Sequence, residues 1–211
     1  MKKKIKKILS KKNKSKIVCL TAYSKNIAKI LDKYVDIILV GDSMANVLYA
    51  HENTHEITLE NIVQHTLSVK KAVNKSLLVV DMPKGTYNNV KEAEKNVKLI
   101  IKKTKCDAIK LESNNRNYKI INFLVKKNIS VMGHIGFTPQ FKDNFKIEGN
   151  TISEIAKLIN EAKLIEKAGA FSIVLEGISP LAAKQLTKKL KIPTIGIGSS
   201  SNCDGQILVT D

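Results

Sequence analysis

Apolar and polar positions along this chain follow two alternating patterns. Short runs rich in Val, Ile and Leu recur at KIVCLTAY (16–23), VDIILVGD (35–42), SLLVVD (76–81), CDAIKLE (106–112), ISVMGH (129–134), FSIVLE (171–176) and PTIGIG (193–198). They are apolar on both faces, as buried parallel strands are. Between them lie stretches of helical periodicity near 24–33, 58–73, 90–104, 116–127, 151–168 and 179–190. Asn89 precedes the third, and Thr151 with Glu154 offers a capping box for the fifth. Strands alternating with helices predict right-handed βαβ units and a parallel sheet. Seven strands, with an eighth in GQILVT (205–210), favour an α/β fold of the (β/α)8 TIM-barrel kind over an open sheet. The expected division is a basic helix or tail over 1–15 and a barrel over 16–211. The chain stops just past the eighth strand, so the helices that should cover it are expected to be missing.

Composition narrows the function classes. The 211 residues are 43% hydrophobic and 26% charged, which is ordinary for a globular chain. No apolar run reaches the roughly 18–20 residues of a membrane span. The N-terminus is basic but has no apolar segment behind it, unlike a secretory signal. Three separated cysteines (Cys19, Cys106, Cys203) form no disulfide framework, which fits a reducing cytoplasm. The net charge of +17 would ordinarily suggest nucleic acid or an anionic membrane surface. However, Arg116 is the only arginine, Trp is absent and aromatics are sparse. Guanidinium forks and stacking platforms are therefore lacking. Residues 1–16 alone hold nine lysines, which read as a solvated tail. Neither a specific nucleic-acid partner nor a membrane is expected.

The informative pattern is positional. Asp42, Asp81, Lys110, Glu112, His134 and Glu176 each fall where an apolar strand ends. In a parallel barrel all strand C-termini open on one face, where active sites form. Lys110 and Glu112 are two apart, so both point to the same side. A lone Asp after a strand is usually a helix cap; six such residues at one rim are not. Carboxylates from neighbouring strands suit a hard divalent cation, which keeps other positions for water and substrate oxygens. A 2-oxo acid could chelate it, and a carboxylate off the metal, Glu176, could act as base.

VGDS (40–43), LLVVDMP (77–83), KLE (110–112), GHIGFTPQ (133–140), IVLE (173–176) and IGIGSSSNCDGQILV (195–209) resemble ketopantoate hydroxymethyltransferase, the first committed enzyme of pantothenate synthesis. The resemblance runs in order from about residue 16 to the C-terminus. It implies a barrel of the phosphoenolpyruvate/pyruvate type and a Mg2+-dependent homo-oligomer, a decamer in the family. It also implies transfer of a one-carbon unit from 5,10-methylenetetrahydrofolate to 3-methyl-2-oxobutanoate, giving 2-dehydropantoate. By the same resemblance Asp42 and Asp81 bind Mg2+, with Glu112 completing its environment through water. Asp42 and Ser43 cradle the oxo acid, with Asp81 also at the substrate, and Lys110 binds its oxygens. His134 contacts the substrate or orders its neighbours, and Glu176 removes the C3 proton. The chain departs from the family pattern at Ala45 or Asn46, His55-Glu56, Lys84, Ser113-Asn114 and Gly177-Ile178-Ser179, and it ends several tens of residues early.

Other signals are weaker. His51-Glu52-Asn53-Thr54-His55 spells the H-E-x-x-H zinc string, but Asn-Thr forms helix poorly and no apolar helix surrounds it. His65 reads as structural, Cys19 and Cys106 as small buried hydrophobes, and Gly196-x-Gly198 as close packing at a strand end. Alternatives of other kinds are a Mg2+-dependent 2-oxo-acid lyase or mutase on the same barrel, a non-catalytic basic binding protein, and an inactive remnant.

Overall fold

The computed structural model describes residues 3–113 and 117–210; Asn114, Arg116 and the start of the predicted 116–127 helix lie outside the described residues. Eight strands pair in parallel, each with the next and the last with the first, so the sheet closes into a barrel. They are β1 (Ile17–Thr21), β2 (Ile37–Val40), β3 (Leu77–Asp81), β4 (Ala108–Glu112), β5 (Val131–Gly136), β6 (Ser172–Glu176), β7 (Thr194–Ile197) and β8 (Gly205–Leu208). The helices are α1 (Lys3–Ser10), α2 (Lys25–Leu31), α3 (Met44–Tyr49), α4 (Leu59–Lys70), α5 (Val90–Thr104), α6 (Tyr118–Lys126), α7 (Ile152–Lys167) and α8 (Pro180–Lys189). No helix among the described residues is long and apolar enough to cross a membrane.

Strand parity sorts the side chains. Ile38, Val40, Leu78, Val80, Ile109, Leu111, Ile173 and Leu175 pack outward beneath the helices. Ile17, Cys19, Ile37, Leu39, Leu77, Val79, Ala108, Met132, Val174, Ile195 and Ile207 fill the barrel. Outside β1 and β8, Val18, Leu208 and Val209 are exposed.

Caps mark the helix starts. Asn89 caps α5 through the Glu92 N–H, and Thr58 forms a full capping box with Asn61 at α4. Thr151 accepts from the Glu154 N–H, but the Glu154 carboxylate turns to the Asn150 N–H. The expected reciprocal box at α7 is thus only half made. The sequence reading also missed α3 and the 3-10 turn Thr54–Glu56.

The lysine-rich N-terminus is a working part of the barrel, not a solvated tail. α1 buries Ile5 and Ile8 among the side chains that fill the barrel interior. Its lysines, and those just after it, bond to three aspartates that stand immediately ahead of strands. Lys4 meets Asp107, Lys7 and Lys11 meet Asp36, and Lys12 meets Asp204. Each aspartate also accepts a backbone N–H of the preceding strand: Asp36 from Val18, Asp107 from Leu78 and Asp204 from Thr194. Lys4, Lys7, Lys11 and Lys12 therefore pair with the chain's own carboxylates.

Asp32 pins the connection into β3. Its carboxylate accepts the N–H groups of Asn74 (3.0 Å), Lys75 (3.0 Å) and Ser76 (2.8 Å). Burial opposes the charge, but these donors overcome it and hold the carboxyl below its usual range. A lowered folded-state pKa means stabilisation that is present above the unfolded value near 4 and is lost as pH falls through the folded one. Asp32→Ala should cost about 2–4 kcal/mol at neutral pH, with three backbone donors left unpaired. Urea denaturation should show the gap narrowing in acid; equal midpoints at neutral pH would remove Asp32 from this role.

Candidate active site

The same parity that fills the barrel aims the rim residues. Asp81, Lys110, Glu112, His134 and Glu176 occupy inward positions at the C-terminal ends of β3, β4, β5 and β6, while Asp42 and Ser43 sit in the turn after β2. Strand register sets Asp81 beside Lys110 and Glu112 beside His134. All seven line one cavity of about 250 Å³, with apolar walls from Leu39, Val174 and Ile207. The sequence-predicted residues are thus brought together at one mouth. Gly136 closes β5 with φ of +92°, and a Cβ there would lie 2.1 Å from the Glu176 carbonyl oxygen. Only glycine lets the next loop turn this close to the end of β6.

Charge in this cavity is unbalanced. The Lys110 ammonium lies 2.7 and 2.8 Å from the two Asp81 oxygens, and Asp42 donates its N–H to Asp81 Oδ2 at 3.4 Å. Around this ammonium Asp42, Asp81 and Glu112, if all ionised, would leave two negative charges uncompensated, with Glu176 further along the same cavity. Burial pushes Asp81 up to about 7 against the pull of Lys110. Burial also drives Glu112 well up, with Asp42 and Asp81 adding to the effect. Burial works against the Lys110 charge too, but the three carboxylates outweigh it and raise that group. So dry a cluster resists its own ionisation.

A hard divalent cation fits this donor set. It would cancel the excess charge, and Asp42 and Asp81 adjoin across neighbouring strand ends. Among the described residues no three His, Cys, Asp or Glu groups form a ready cage. One or two protein carboxylates, with water and substrate oxygens, is the arrangement Mg2+ favours.

Gln140 is the residue that sequence reasoning missed. It is fully buried in the loop after β5. Its amide donates to Asp42 Oδ2 (2.7 Å) and the Met82 carbonyl (2.9 Å), and its N–H donates to Glu112 Oε2 (3.0 Å). Tyr87 donates to its amide oxygen, which fixes the orientation of the amide. One glutamine thus orients a carboxylate from the turn after β2 and another from the end of β4. Its place inside GHIGFTPQ was the only signal available. Tyr23 was likewise missed; its hydroxyl meets Ser43 Oγ at 2.8 Å.

His134 stands between two carboxylates. Nδ1 is 3.6 Å from Glu112 Oε1 and Nε2 is 3.2 Å from Glu176 Oε2. Neither nitrogen has a well-formed hydrogen bond. Burial, reinforced by Lys110, holds the imidazole below its usual range, hence neutral. Glu176 is the most open of the acids, its side chain 23% exposed.

The other sequence signals fall elsewhere. His51 and His55 lie in a loop and a 3-10 turn rather than on one helix face, so no zincin geometry exists. His55 Nε2 instead bonds the Pro139 carbonyl at 2.8 Å. His65 bridges the Tyr23 carbonyl and the Tyr49 hydroxyl, a structural role. All three cysteines are buried, and burial raises the Cys19 and Cys203 thiols. A Cβ on Gly196 would lie 3.0–3.2 Å from Gln206 and Cys203, so it packs closely. Of the departures from the family pattern, Asn46 lines the cavity, whereas Ala45, His55, Glu56, Lys84, Ser113, Gly177, Ile178 and Ser179 do not. Lys84 contacts His55, and Ser113 bonds Glu161.

Four likenesses bear on this geometry. The family model of ketopantoate hydroxymethyltransferase matches residues 2–211. The 3-methyl-2-oxobutanoate hydroxymethyltransferase of Pelagibacter ubique (strain HTCC1062) is 54% identical over 211 residues, 100% of this chain and 82% of that protein. The enzyme of the same name from Anaplasma marginale (strain St. Maries) is 46% identical over 207 residues, 97% of this chain and 75% of that one. Among solved structures, 2,3-dimethylmalate lyase of the PEP mutase/isocitrate lyase superfamily superimposes with a TM-score of 0.73 at 14% identity, covering 97% of this chain and 76% of that one.

Proposed function

Because the chain belongs to the ketopantoate hydroxymethyltransferase family, we propose that this cavity transfers a hydroxymethyl unit to 3-methyl-2-oxobutanoate, giving 2-dehydropantoate for pantothenate synthesis. The donor in this reading is 5,10-methylenetetrahydrofolate and the resident cation is Mg2+. The observation that carries the reading is the meeting of Asp42, Asp81, Lys110, Glu112, His134 and Glu176 in one small cavity.

Asp42 and Asp81 would hold Mg2+, with Glu112 and Gln140 ordering their surroundings. When bound, the ion supplies a Lewis acid for the keto and carboxylate oxygens and steadies the charge that develops as the C3 proton leaves. Lys110, kept charged by its three carboxylates, adds positive charge at the same oxygens. Ser43, oriented by Tyr23, meets the substrate carboxylate. Leu39, Val174 and Ile207 shed water around the branched end. Glu176 takes the C3 proton, and neutral His134 beside it restrains the carboxylate. The freed C3 electron pair then bonds the methylene carbon as the first of its two bonds to folate nitrogens breaks, that nitrogen taking up the proton lost from C3; a water oxygen replaces the second bond, and the water's other proton goes to the second nitrogen. One water is consumed and tetrahydrofolate leaves. The chain is proposed to work in the cytoplasm as a homo-oligomer.

Proton abstraction needs no folate, so it can be tested alone. With Mg2+, the C3 proton of 3-methyl-2-oxobutanoate should exchange with deuterium in heavy water, and EDTA should stop it. Adding the folate donor should then give 2-dehydropantoate. No Mg2+-dependent exchange would refute the reading.

A further inference from the structure

Among the described residues, four buried side-chain atoms have no hydrogen-bond partner: Thr54 Oγ1, His134 Nδ1, His134 Nε2 and Ser172 Oγ. The two imidazole nitrogens face Glu112 and Glu176 across 3.6 and 3.2 Å. Ser172 opens β6, at the end away from the chemistry. Thr54 differs from both. It lines the acceptor cavity with Asp42, Ser43 and Asn46, and no protein group answers its hydroxyl.

The position of Thr54 is built, not accidental. It begins the 3-10 turn, and that turn packs against α3, which follows Ser43 directly. The Asn53 side chain accepts the His55 N–H at 2.9 Å, His55 Nε2 bonds the Pro139 carbonyl at 2.8 Å, and Asn46 donates to the His51 carbonyl at 2.9 Å. Buried Ile57 anchors the far end of the turn, and Thr54 itself is only 5% exposed. A hydroxyl stripped of water on folding and given no partner costs stability. A firmly held turn that keeps such a hydroxyl in a cavity wall suits a ligand that supplies the missing bond.

We infer that Thr54 is a substrate-binding residue, its hydroxyl donating to a carboxylate oxygen of the bound 2-oxo acid, beside Ser43. The inference rests on the hydroxymethyltransferase reading above and adds a residue from a separate element to it. The polar head of the acid belongs on the Asp42 and Ser43 side, because Leu39, Val174 and Ile207 form the apolar walls. A carboxylate is a strong acceptor for an O–H donor. An uncharged donor also adds nothing to the crowded charges around Lys110. The zinc-like string His51–His55 thereby gains a part: it carries this hydroxyl and clamps it in place.

Thr54→Val keeps the branched shape and removes only the hydroxyl, whereas Thr54→Ser keeps the hydroxyl. Calorimetry follows binding of 3-methyl-2-oxobutanoate to the Mg2+-loaded protein, and folate-free C3 exchange gives KM and the rate at saturation. Thr54→Val should weaken binding of the acid about 10- to 100-fold, the worth of a hydrogen bond to a charged group. KM should rise with it while the saturated rate stays nearly unchanged. Thr54→Ser should restore most of the affinity. In thermal scans without the acid, Thr54→Val should melt no lower than the unaltered chain, because the lost hydroxyl made no bond within the protein. Unchanged acid affinity in Thr54→Val would overturn the inference: a hydroxyl that bonds only a trapped water, or serves only the outer cleft that Thr54 also lines, leaves folate-free exchange untouched. Weakened binding that Thr54→Ser does not restore, or that comes with a lowered thermal midpoint, would overturn it too. Absence of Mg2+-dependent exchange in the unaltered chain would instead remove the reading beneath it.

Discussion

Glu176→Gln should slow Mg2+-dependent C3 exchange of 3-methyl-2-oxobutanoate by roughly 10²- to 10⁴-fold, the usual worth of a positioned general base. The substitution keeps size and a hydrogen-bonding oxygen but cannot take a proton. Glu176 is separated from the cation-side acids by β4 and β5, and it meets His134 rather than Asp42 or Asp81. The variant should therefore bind Mg2+ as the unaltered chain does. Loss of exchange together with loss of Mg2+ binding would show general damage to the mouth. Exchange at the unaltered rate would pass the role of base to another residue.

Ile8→Ala, and Ile5→Ala with it, should destabilise the barrel from the end opposite the chemistry. Each side chain is 1% exposed and packs among the residues that fill the barrel. Such truncations cost about 2–5 kcal/mol each, a large share of the roughly 5–15 kcal/mol that holds a domain folded. For a chain of this size each should lower the thermal midpoint by roughly 5–15 °C. The lysines divide by burial. Lys7, its side chain 64% exposed, should matter by less than about 1 kcal/mol. Lys12 has a side chain only 9% exposed against Asp204, and Lys12→Met should cost about 3 kcal/mol by leaving that buried carboxylate without its cation, though still bonded to Asn13 and Thr194. If calorimetric scans found Ile8→Ala no worse than Lys7→Ala, α1 would be an ornament rather than a plug.

Much of this architecture is written locally. Val- and Ile-rich runs apolar on both faces become strands because helices cover one side and barrel side chains the other. Asp81, Lys110, Glu112, His134 and Glu176 were legible because strand parity alone carries an end residue to the mouth. Gln140 was not legible, since its partners Asp42, Met82, Tyr87 and Glu112 come from three other loops and strands. The spacing of Ile5, Ile8 and Leu9 carried a helical stripe that nine lysines obscured. Those lysines look solvated until the aspartates ahead of β2, β4 and β8 are seen to receive them. Short elements such as α3 and the 3-10 turn have too few residues for periodicity to show.

The central claim is that carboxylates distant in sequence share one divalent cation beside a separate base. Titration of the protein with Mg2+ by calorimetry tests it most directly, with Asp81→Asn alongside. One site per chain in the unaltered protein, weakened at least tenfold by Asp81→Asn with the fold intact by circular dichroism, is the predicted result. Equal Mg2+ affinity in the two proteins would contradict the account.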